Sequence, residues 1–199
     1  MAYHGYIPVV KNRILQLKNP RILEVGLDKG MTTVPLIAFL TRAKESYTFV
    51  GIDVLLQEHL KIILQHIDNS QNQKILLYEE SSLSVLPKLV EASQKFDVVL
   101  LDGDHNYYTV SNELQYLENI VDENGIVIID DYAGRWSNSD LWYSEKEGYE
   151  NSSSATKKID TEKHGVKPAV DEFLENNPNW KSTVLMSGEP IVLFRHRHE

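Results

Sequence analysis

The sequence predicts an α/β fold in which a doubly wound, mostly parallel sheet of seven strands is packed between helices. Short apolar runs of strand length alternate with segments of helical period along most of the 199 residues. Acidic residues follow several of these runs, as is typical of strand ends that face a ligand site. Two further runs near the C-terminus predict an antiparallel hairpin. We expect one domain over residues 1–199, with an insertion at 133–165.

The first half of the chain alternates strands with helices. A short helix is predicted over residues 7–17, ended by Pro20, and the apolar run at 21–25 is the first strand. A tight glycine turn leads into a helix over residues 31–44, where Pro35 lies within about the first turn and its missing N–H costs little. The remaining elements of this half are strands at 47–52 and 74–78 and helices at 55–67 and 84–93.

The centre of the chain, from residue 96 to residue 132, contains two strands joined by a crossover helix. Residues 96–101 form a short apolar run of the kind that is buried on both faces of a parallel sheet. A second run at 125–129 follows a turn predicted at 122–125. Apolar residues recur between the two runs at helical spacing, which predicts a helix linking parallel strands. These residues are Val110, Leu114, Leu117 and Val121.

The insertion at 133–165 shows neither helical nor strand period, although it contains aromatic side chains among Ser, Asn, Lys and Glu. A segment this long in a compact domain is usually functional or disordered. We therefore predict a partly ordered lid, with a mobile surface loop as the alternative. Helical period returns over residues 166–177. The closing hairpin follows, with strands at 181–186 and 191–195 around a turn at 187–190.

Composition and charge exclude several classes of function. The formal net charge of −9 argues against a nucleic-acid partner, because no basic stripe is present to release counterions. No apolar run approaches the roughly 20 residues of a transmembrane helix, and the N-terminus lacks the pattern of a signal peptide. With 42% hydrophobic residues and no cysteine, the sequence is typical of a globular protein in a reducing compartment. We expect a cytoplasmic protein without a membrane partner.

Four aspartates follow the two central strands. Asp102 and Asp104 come after the first of these strands, and Asp130 and Asp131 come directly after the second. Because the carboxyl ends of parallel strands meet at one edge of a sheet, we expect the four carboxylates to cluster there. Such carboxylates repel one another and acquire raised pKa values unless a cation lies among them. Without cysteine or paired histidines, the site selects Mg²⁺, with Mn²⁺ or Ca²⁺ as alternatives.

The roles of the individual acids follow from their positions. Asp102, Asp130 and Asp131 are the predicted metal ligands, since they follow the strands immediately; the alternative is that one or two of them cap the following turns. Asp104 and His105 lie slightly further along the first loop, and either is a candidate to accept a proton from an acceptor hydroxyl. His105 has two other interpretations, a hydrogen bond to the adenine of a cofactor and a purely structural position.

The turn after the first strand is the predicted site of a cofactor. Gly26 allows a ligand to approach the backbone closely, and Gly30 allows the next helix to pack near the strand. Asp28 would repel a pyrophosphate, so the turn favours a nucleoside without phosphates. Glu24 is positioned to accept hydrogen bonds from the amino group of a zwitterionic ligand. Alone, such a glycine turn is equally typical of ordinary strand–helix connections.

Acids and serines after the second and third strands extend this site. Asp53 ends the second strand, where a carboxylate can accept hydrogen bonds from both hydroxyls of a ribose. The alternative for Asp53 is an acid at a helix N-terminus. Glu79, Glu80, Ser81 and Ser82 follow the third strand and are candidates to contact an adenine edge, although both serines equally suit helix capping.

These motifs together resemble the class I S-adenosylmethionine-dependent methyltransferases. More narrowly, they resemble the metal-dependent O-methyltransferases of the macrocin and aminocoumarin type, which modify sugars. The resemblance covers nearly the whole chain except the N-terminal turns and the insertion, and it implies the Rossmann-like methyltransferase fold. It rests on residues 24–26 with 30–33, 51–53, 96–105 and 128–132, and extends to 165–174 and 191–195.

The resemblance implies a role for each matching residue. It implies Mg²⁺ on Asp102, Asp130 and Asp131, with Asp104 as general base. It implies the methionyl part of the cofactor near the glycine turn, the ribose on Asp53 and the adenine near His105. One departure concerns the turn after the third strand, which reads Glu-Ser-Ser where many relatives have Gly-Asp-Ser. The predicted cofactor contacts are Glu24, Gly26, Gly30, Thr32, Asp53, Ser81, Ser82, Asp102 and His105.

We therefore predict methyl transfer from S-adenosylmethionine to a hydroxyl oxygen of a small acceptor, such as a sugar, a diol or a catechol-like compound. A metal-independent N- or O-methyltransferase on the same fold is one alternative. A non-catalytic domain that binds the cofactor is a second, since a fold does not dictate a function. A nicotinamide-dependent oxidoreductase fits poorly, because Asp28 and a missing third glycine disfavour a dinucleotide. A homodimer is the base-rate expectation for such enzymes.

Overall fold

The protein contains one seven-stranded sheet, in a computed structural model that describes residues 5–67, 72–185 and 189–195. The strand order is β3-β2-β1-β4-β5-β7-β6, with β1 to β5 parallel and β7 antiparallel to both of its neighbours. This arrangement confirms the predicted fold. The strands are β1 (Arg21–Val25), β2 (Tyr47–Asp53), β3 (Gln73–Glu79), β4 (Phe96–Leu101), β5 (Val121–Ile129), β6 (Trp180–Val184) and β7 (Ile191–Arg195).

Helices cover both faces of the sheet because the central strands are apolar on both faces. In β4, Val99 and Leu101 belong to one buried cluster, while Val98 and Leu100 belong to the other. Helices α4 to α7 pack on the first layer and α1 to α3 on the second. Their bounds are α1 (Ile7–Leu15), α2 (Thr33–Ala43), α3 (Glu58–Gln65), α4 (Ser82–Glu91), α5 (Tyr107–Leu114), α6 (Leu117–Ile120) and α7 (Val166–Asn176).

The predicted crossover helix and the predicted turn at 122–125 are both wrong in detail. The helix is divided into α5 and α6, and Val121 is the first residue of β5 rather than the end of a helix. Val121 pairs with Phe96, and the register then shifts so that Val98 pairs with Ile126. Residues 122–125 are thus accommodated as an irregularity inside the strand. The reason is that Val121 is fully buried, so tertiary packing overrides the local turn signal.

The insertion contains little regular structure, as its sequence predicts. Within it the structure has a short 3₁₀ helix at Tyr143–Glu145 and an isolated bridge between His105 and Leu141. Residues 186–188 of the hairpin turn lie outside the described residues, as do His196 and His198, which we expect to be solvated. In the described part of the chain, none of the helices has the length and apolarity needed to cross a membrane.

Candidate functional site

A cavity that is open to solvent lies at the carboxyl ends of β1 to β4, and its empty space, with the open solvent at its mouth included, is about 380 Å³. It occupies the edge of the sheet where the order of the strands reverses, which is the expected ligand site of an open parallel sheet. Its lining includes six residues that the sequence singles out, one to three from each strand end. These are Gly26, Asp53, Glu80, Ser81, Ser82 and Asp104.

Gly26 brings the turn after β1 into direct contact with the loop after β4. Its φ is +85°, and a Cβ at this position would lie 2.0 Å from the backbone oxygen of Asp102. The parallel ladder also continues beyond the strands, since the Asp102 amide donates to Val25 at 2.9 Å and the Asp130 amide to Leu101 at 3.0 Å. The first residues after β1, β4 and β5 therefore lie side by side at the floor of the site.

Glu24 carries a buried carboxyl group in β1, one residue before the lining residues Val25 and Gly26, and does not itself line the cavity. The residue is 1% exposed, and its Oε2 has no hydrogen-bond partner among the described residues. Burial raises the pKa of Glu24 to about 8, and the nearby hydroxyl of Thr33 opposes part of the rise. An unpartnered buried carboxylate oxygen costs about 1–3 kcal/mol. This position suits the ammonium group of an amino-acid ligand, which would supply both the hydrogen bond and the charge.

The raised pKa of Glu24 predicts a pH dependence of ligand binding. An ammonium ligand interacts with the ionised carboxylate, which is the minor form below a pKa of about 8. The affinity for S-adenosylhomocysteine should therefore rise with pH between 6 and 8, by up to about tenfold per pH unit. Isothermal titration calorimetry at several pH values measures this slope. Glu24→Gln should bind weakly and without the slope, and an equal slope in that variant would contradict the assignment.

Asp53 holds the turn after β1 rather than standing free in the cavity. One carboxylate oxygen accepts the amides of Leu27 at 2.7 Å and Asp28 at 2.9 Å, and the other accepts the amide of Leu55 at 2.9 Å. Burial raises the pKa of Asp53, while these three bonds oppose the rise. The oxygen that accepts only the amide of Leu55 keeps a lone pair for a ligand hydroxyl, whereas the oxygen that accepts two amides is saturated. The predicted ribose contact is therefore compatible with this second, structural role.

The two serines after β3 differ in role. Ser81 is the N-cap of α4, because its hydroxyl accepts the amide of Leu83 at 3.3 Å, in agreement with the capping alternative. Its hydroxyl also lies 3.3 Å from that of Thr156 in the insertion. Ser82 is buried in the first turn of α4 and lines the cavity. Both serines therefore belong to the wall of the cavity on the β3 side.

The acidic edge of the site is formed by the ends of β4 and β5. Burial raises the pKa of Asp102 well above its usual range, and the charges of Asp130 and Glu24 raise it further. The hydroxyl of Tyr6 donates to Asp102 Oδ2 at 3.2 Å. The predicted meeting of Asp102 and Asp130 is thus observed, with carboxyl groups close enough to share a hydrogen bond.

His105 lies between the acidic residues of the two loops. Its Nε2 is 3.7 Å from Asp102 Oδ1, and its Nδ1 is 3.7 Å from Asp131 Oδ2. Burial lowers the pKa of His105 to about 4, so the ring is neutral at physiological pH. Within residues 5–67, 72–185 and 189–195, no three Asp, Glu or His side chains are arranged closely enough to hold a metal ion. The donor chemistry nevertheless fits a hard cation, because these acids repel one another as they stand.

Asp104 is held in a fixed orientation at the edge of the cavity. Its Oδ1 accepts the amide of Tyr143 at 2.8 Å, and its Oδ2 accepts the hydroxyl of Thr109 at 3.2 Å. Burial raises the pKa of Asp104 to about 6, despite these hydrogen bonds. The group is therefore ionised at neutral pH and more basic than an ordinary aspartate. These are the properties required of a general base.

The insertion crosses the cavity and contacts the loop after each of the strands β1 to β4. The hydroxyl of Tyr149 donates to Asp28 at 2.5 Å, and that of Ser152 donates to the backbone of Val54 at 2.6 Å. Thr156 contacts the β3 side, and the amide of Tyr143 contacts Asp104 on the β4 side. The insertion is therefore ordered against the cavity through polar contacts.

Comparison with known sequences assigns the chain to a family. A family described as "Methyltransferase domain" matches residues 23–132, which is more than half of the 199 residues and extends from β1 to just beyond β5. The chain belongs to this family. It is a class I S-adenosylmethionine-dependent methyltransferase domain, which confirms the resemblance found in the sequence. The family implies S-adenosylmethionine as the cofactor.

This methyltransferase domain is also similar to individual proteins in sequence and in fold. It is 28% identical over 147 residues to uncharacterized protein R132 of Acanthamoeba polyphaga mimivirus, covering 68% of this chain and 63% of that protein. MycE methyltransferase from the mycinamycin biosynthetic pathway, in complex with Mg, S-adenosylhomocysteine and mycinamycin VI, superposes with a TM-score of 0.58 at 14% identity. That match covers 99% of this chain and 51% of MycE, so the chain spans only about half of its length.

A further structural relative has a similar fold. CalS11, a TDP-rhamnose 3′-O-methyltransferase in calicheamicin biosynthesis, superposes with a TM-score of 0.59 at 15% identity. The match covers 94% of this chain and 76% of CalS11. At such low identity, both structural matches show a shared fold.

The remaining predicted residues of the methyltransferase site lie around the cavity rather than in its lining. Gly30 faces the side chain of Leu60 in α3, in agreement with a packing role, and Thr32 is buried, with its hydroxyl 3.4 Å from that of Tyr6. Asp102 and His105 lie on the acidic edge next to the cavity. The structure thus divides the predicted cofactor contacts into a lining group and a surrounding group.

Three residues of the methyltransferase site are missed by the sequence analysis. Tyr6 contacts Asp102 across 96 positions, and Tyr143 reaches the cavity from the insertion. Neither has a periodic signal, because both act through long-range contacts. Glu113 is 1% exposed within α5, and a sequence signal exists for it. It falls on the same helical face as Val110 and Leu117, where a charged residue is unexpected.

Proposed function

We propose that this methyltransferase domain transfers a methyl group from S-adenosylmethionine to a hydroxyl oxygen of a small acceptor, assisted by a divalent cation. The neighbouring carboxyl groups of Asp102 and Asp130 beside the cofactor cavity carry the proposal, and Asp131 on the same edge would have to move closer to complete an ion site. Oxygen donors select Mg²⁺, and a diol, a catechol or a sugar hydroxyl next to an oxygen substituent can chelate such an ion. The Mg in the MycE complex and the O-methylation named for CalS11 support the same chemistry by analogy.

The residues of this chain have distinct tasks in the proposed reaction. When bound, S-adenosylmethionine supplies an electrophilic methyl group, and a divalent cation on the three aspartates lowers the pKa of the acceptor hydroxyl. Glu24 binds the amino-acid end of the cofactor, and Gly26 leaves room for it beside the backbone. Asp104 accepts the hydroxyl proton at Oδ2, which the hydroxyl of Thr109 orients. Holding the acceptor in line with the methyl group supplies the entropic part of the rate.

The test requires the full chain, S-adenosylmethionine and a panel of vicinal diols, catechols and nucleotide sugars. We expect formation of S-adenosylhomocysteine with at least one acceptor class in Mg²⁺, and its loss in excess EDTA. Readdition of Mg²⁺ or Mn²⁺ should restore it. Turnover that is unchanged by EDTA would rule out the role of the metal. Binding of S-adenosylhomocysteine without turnover on any acceptor would favour the non-catalytic alternative.

A metal-independent methyltransferase is a second candidate, and one observation favours it. The ring of His105 lies between Asp102 and Asp131, with one ring nitrogen 3.7 Å from a carboxylate oxygen of each. The ring therefore lies where an ion shared by these two aspartates would bind. In this case the neutral ring and Asp104 would perform the proton transfer alone, on nitrogen or oxygen. EDTA discriminates the two candidates directly. A homodimer stays a prediction in both cases.

We further propose that the insertion is a lid over the cofactor as well as over the acceptor. Tyr149→Phe removes the hydrogen bond to Asp28, which is worth about 1 kcal/mol, so the lid should open more readily. We expect S-adenosylhomocysteine to dissociate about fivefold faster, measured by stopped-flow fluorescence. Tyr116→Phe, at the start of α6, is the matched control and should leave the rate unchanged. Equal rates in both variants would contradict the lid.

A further inference from the structure

Lys146 is a lysine of the insertion whose ammonium group is held by two aromatic rings beside the cavity. Its Nζ is 4.1 Å from the centre of the Tyr143 ring and 5.3 Å from that of Tyr149. The two rings meet edge to face with their centres 4.8 Å apart. Tyr143 lines the cavity, and the hydroxyl of Tyr149 donates to Asp28 in the turn after β1. The insertion therefore presents a positive charge next to the cavity.

The charge of Lys146 is not neutralised by an ion pair. Other lysines of the insertion do form such pairs, Lys158 with Glu145 at 3.3 Å and Lys163 with Glu172 at 2.8 Å. For Lys146, no carboxylate oxygen of the described residues lies within 4 Å of Nζ. A contact with aromatic rings is weaker than a charge-assisted hydrogen bond and leaves the three N–H donors without an acceptor. The ammonium group is therefore available to an anion.

Lys146 lies on the side of the cavity that the loop after β4 forms. The insertion is bonded along this loop, since the amide of Leu141 donates to the backbone of His105 at 3.1 Å. The amide of Tyr143 donates to Asp104 at 2.8 Å, and the amide of Lys146 donates to the backbone of Tyr143 at 3.0 Å. Burial is the main cause of the lowered pKa of His105, and the charge of Lys146 lowers it further. The ammonium group is thus close to both candidates for the acceptor of the hydroxyl proton.

The charges around the cavity indicate what this ammonium group binds. Of the described residues that line the cavity, three are acidic and none is basic. Such a lining repels a negatively charged acceptor, and a neutral acceptor makes no use of a cation. A lysine is a compact point charge on a flexible stem, which suits a carboxylate or a phosphate. The position of Lys146 therefore favours an acceptor that carries a negative charge.

We propose that Lys146 is a specificity-determining residue that selects an acceptor with an anionic group, a carboxylate or a phosphate, near the hydroxyl that is methylated. When such an acceptor binds, its anionic oxygens accept the N–H groups of Lys146 in place of the contact with the tyrosine rings. The inference deepens the proposed function and rests on it for the reaction. It does not depend on the divalent cation.

The test compares compounds that differ in charge but share the hydroxyl groups. Glycerol, glycerate and glycerol 3-phosphate form one series, in which the last two distinguish a carboxylate from a phosphate. The second series is 3,4-dihydroxybenzamide and 3,4-dihydroxybenzoate. Calorimetry on the full chain loaded with S-adenosylhomocysteine measures affinity, and kcat/KM with S-adenosylmethionine measures turnover. In at least one series the anionic compound should be favoured about tenfold to hundredfold over the neutral one.

Three variants assign this preference to Lys146. Lys146→Met removes the charge and keeps the length of the side chain, so the preference should fall towards one. Lys146→Arg keeps the charge and should retain most of the preference. Lys158→Met, which loses only the ion pair with Glu145, is the matched control and should leave the preference unchanged. In calorimetry with excess EDTA the preference should persist, whereas a preference caused by a metal ion would disappear.

The outcomes separate this inference from the proposed function. Equal affinity for neutral and anionic compounds in the unaltered chain, or a preference that is unchanged in Lys146→Met, would overturn the inference and leave the proposed function intact. If Lys146 only joined the two tyrosines, Lys146→Met would weaken neutral and anionic compounds alike, which would also overturn it. Binding of S-adenosylhomocysteine without turnover on any acceptor would overturn the proposed function, and the inference with it.

Discussion

Replacing Gly26 with alanine is expected to abolish binding of S-adenosylhomocysteine and to destabilise the fold. The residue has a φ of +85°, and the new Cβ would lie 2.0 Å from the backbone oxygen of Asp102. A backbone atom cannot rotate away, so the ends of β1 and β4 must separate. We expect a loss of at least about 3 kcal/mol in the free energy of unfolding, a decrease in Tm of roughly 6–12 °C, and more than hundredfold weaker binding.

Gly148→Ala is the matched control for this substitution. Its φ of +88° imposes similar backbone strain, yet no atom lies within 4 Å of the new Cβ. The expected cost is therefore about 1–2 kcal/mol from strain alone, with an affinity for S-adenosylhomocysteine within about twofold of the unaltered chain. Thermal unfolding and calorimetry measure both quantities. If the two alanine variants behaved alike, strain would explain the effect, and the close contact between Gly26 and Asp102 would be irrelevant to binding.

The sheet and the acidic edge of the site can both be predicted from the sequence. The run at residues 96–101 is apolar without interruption because both faces of β4 are covered, and the aspartate that follows it marks the end of the strand. Parallel pairing then dictates that the residue after β5 lies beside it, and the observed pairing of Leu101 with Ile129 does bring Asp102 next to Asp130. This part of the site follows from periodicity and from a general property of parallel strands.

The other part of the site depends on contacts that periodicity does not encode. Tyr149 reaches Asp28 across 121 positions from a segment without regular structure, so its place over the cavity emerges only from the folded chain. Asp53 shows a different limit. Its position at the end of β2 is predicted, but its bonds to the amides of Leu27 and Asp28 depend on how the glycine turn folds. Val121 shows a third limit of prediction from sequence, because the burial of its side chain in the core outweighs the turn-forming sequence at residues 122–125.

Asp130→Asn is expected to weaken metal binding and to stabilise the ligand-free protein at the same time. Removing the charge of Asp130 relieves a repulsion that raises the pKa of Asp102. A carboxyl group with a raised pKa in the folded state contributes stability below its usual pKa and loses it as pH rises. The increase in the free energy of unfolding caused by Asp130→Asn should therefore be absent near pH 4 and reach about 1 kcal/mol at pH 8. This corresponds to an increase of roughly 2–4 °C in Tm. Binding of Mn²⁺, followed by electron paramagnetic resonance, should weaken at least about tenfold.

Asp122→Asn is the control, and we expect it to change the free energy of unfolding in the opposite direction. Asp122 accepts a hydrogen bond from Arg21 at 2.7 Å near the start of β5, and this partner lowers its pKa. The same substitution there should cost a few tenths of a kcal/mol at pH 8 and leave Mn²⁺ binding unchanged. In Asp130→Asn the affinity for S-adenosylhomocysteine should also stay unchanged, since the cavity lining includes Asp104 and Asp53 but not Asp130. Unaltered Mn²⁺ affinity in Asp130→Asn would remove the metal from the proposed mechanism, whereas a decrease in Tm at pH 8 would show that the two carboxyl groups support rather than repel each other.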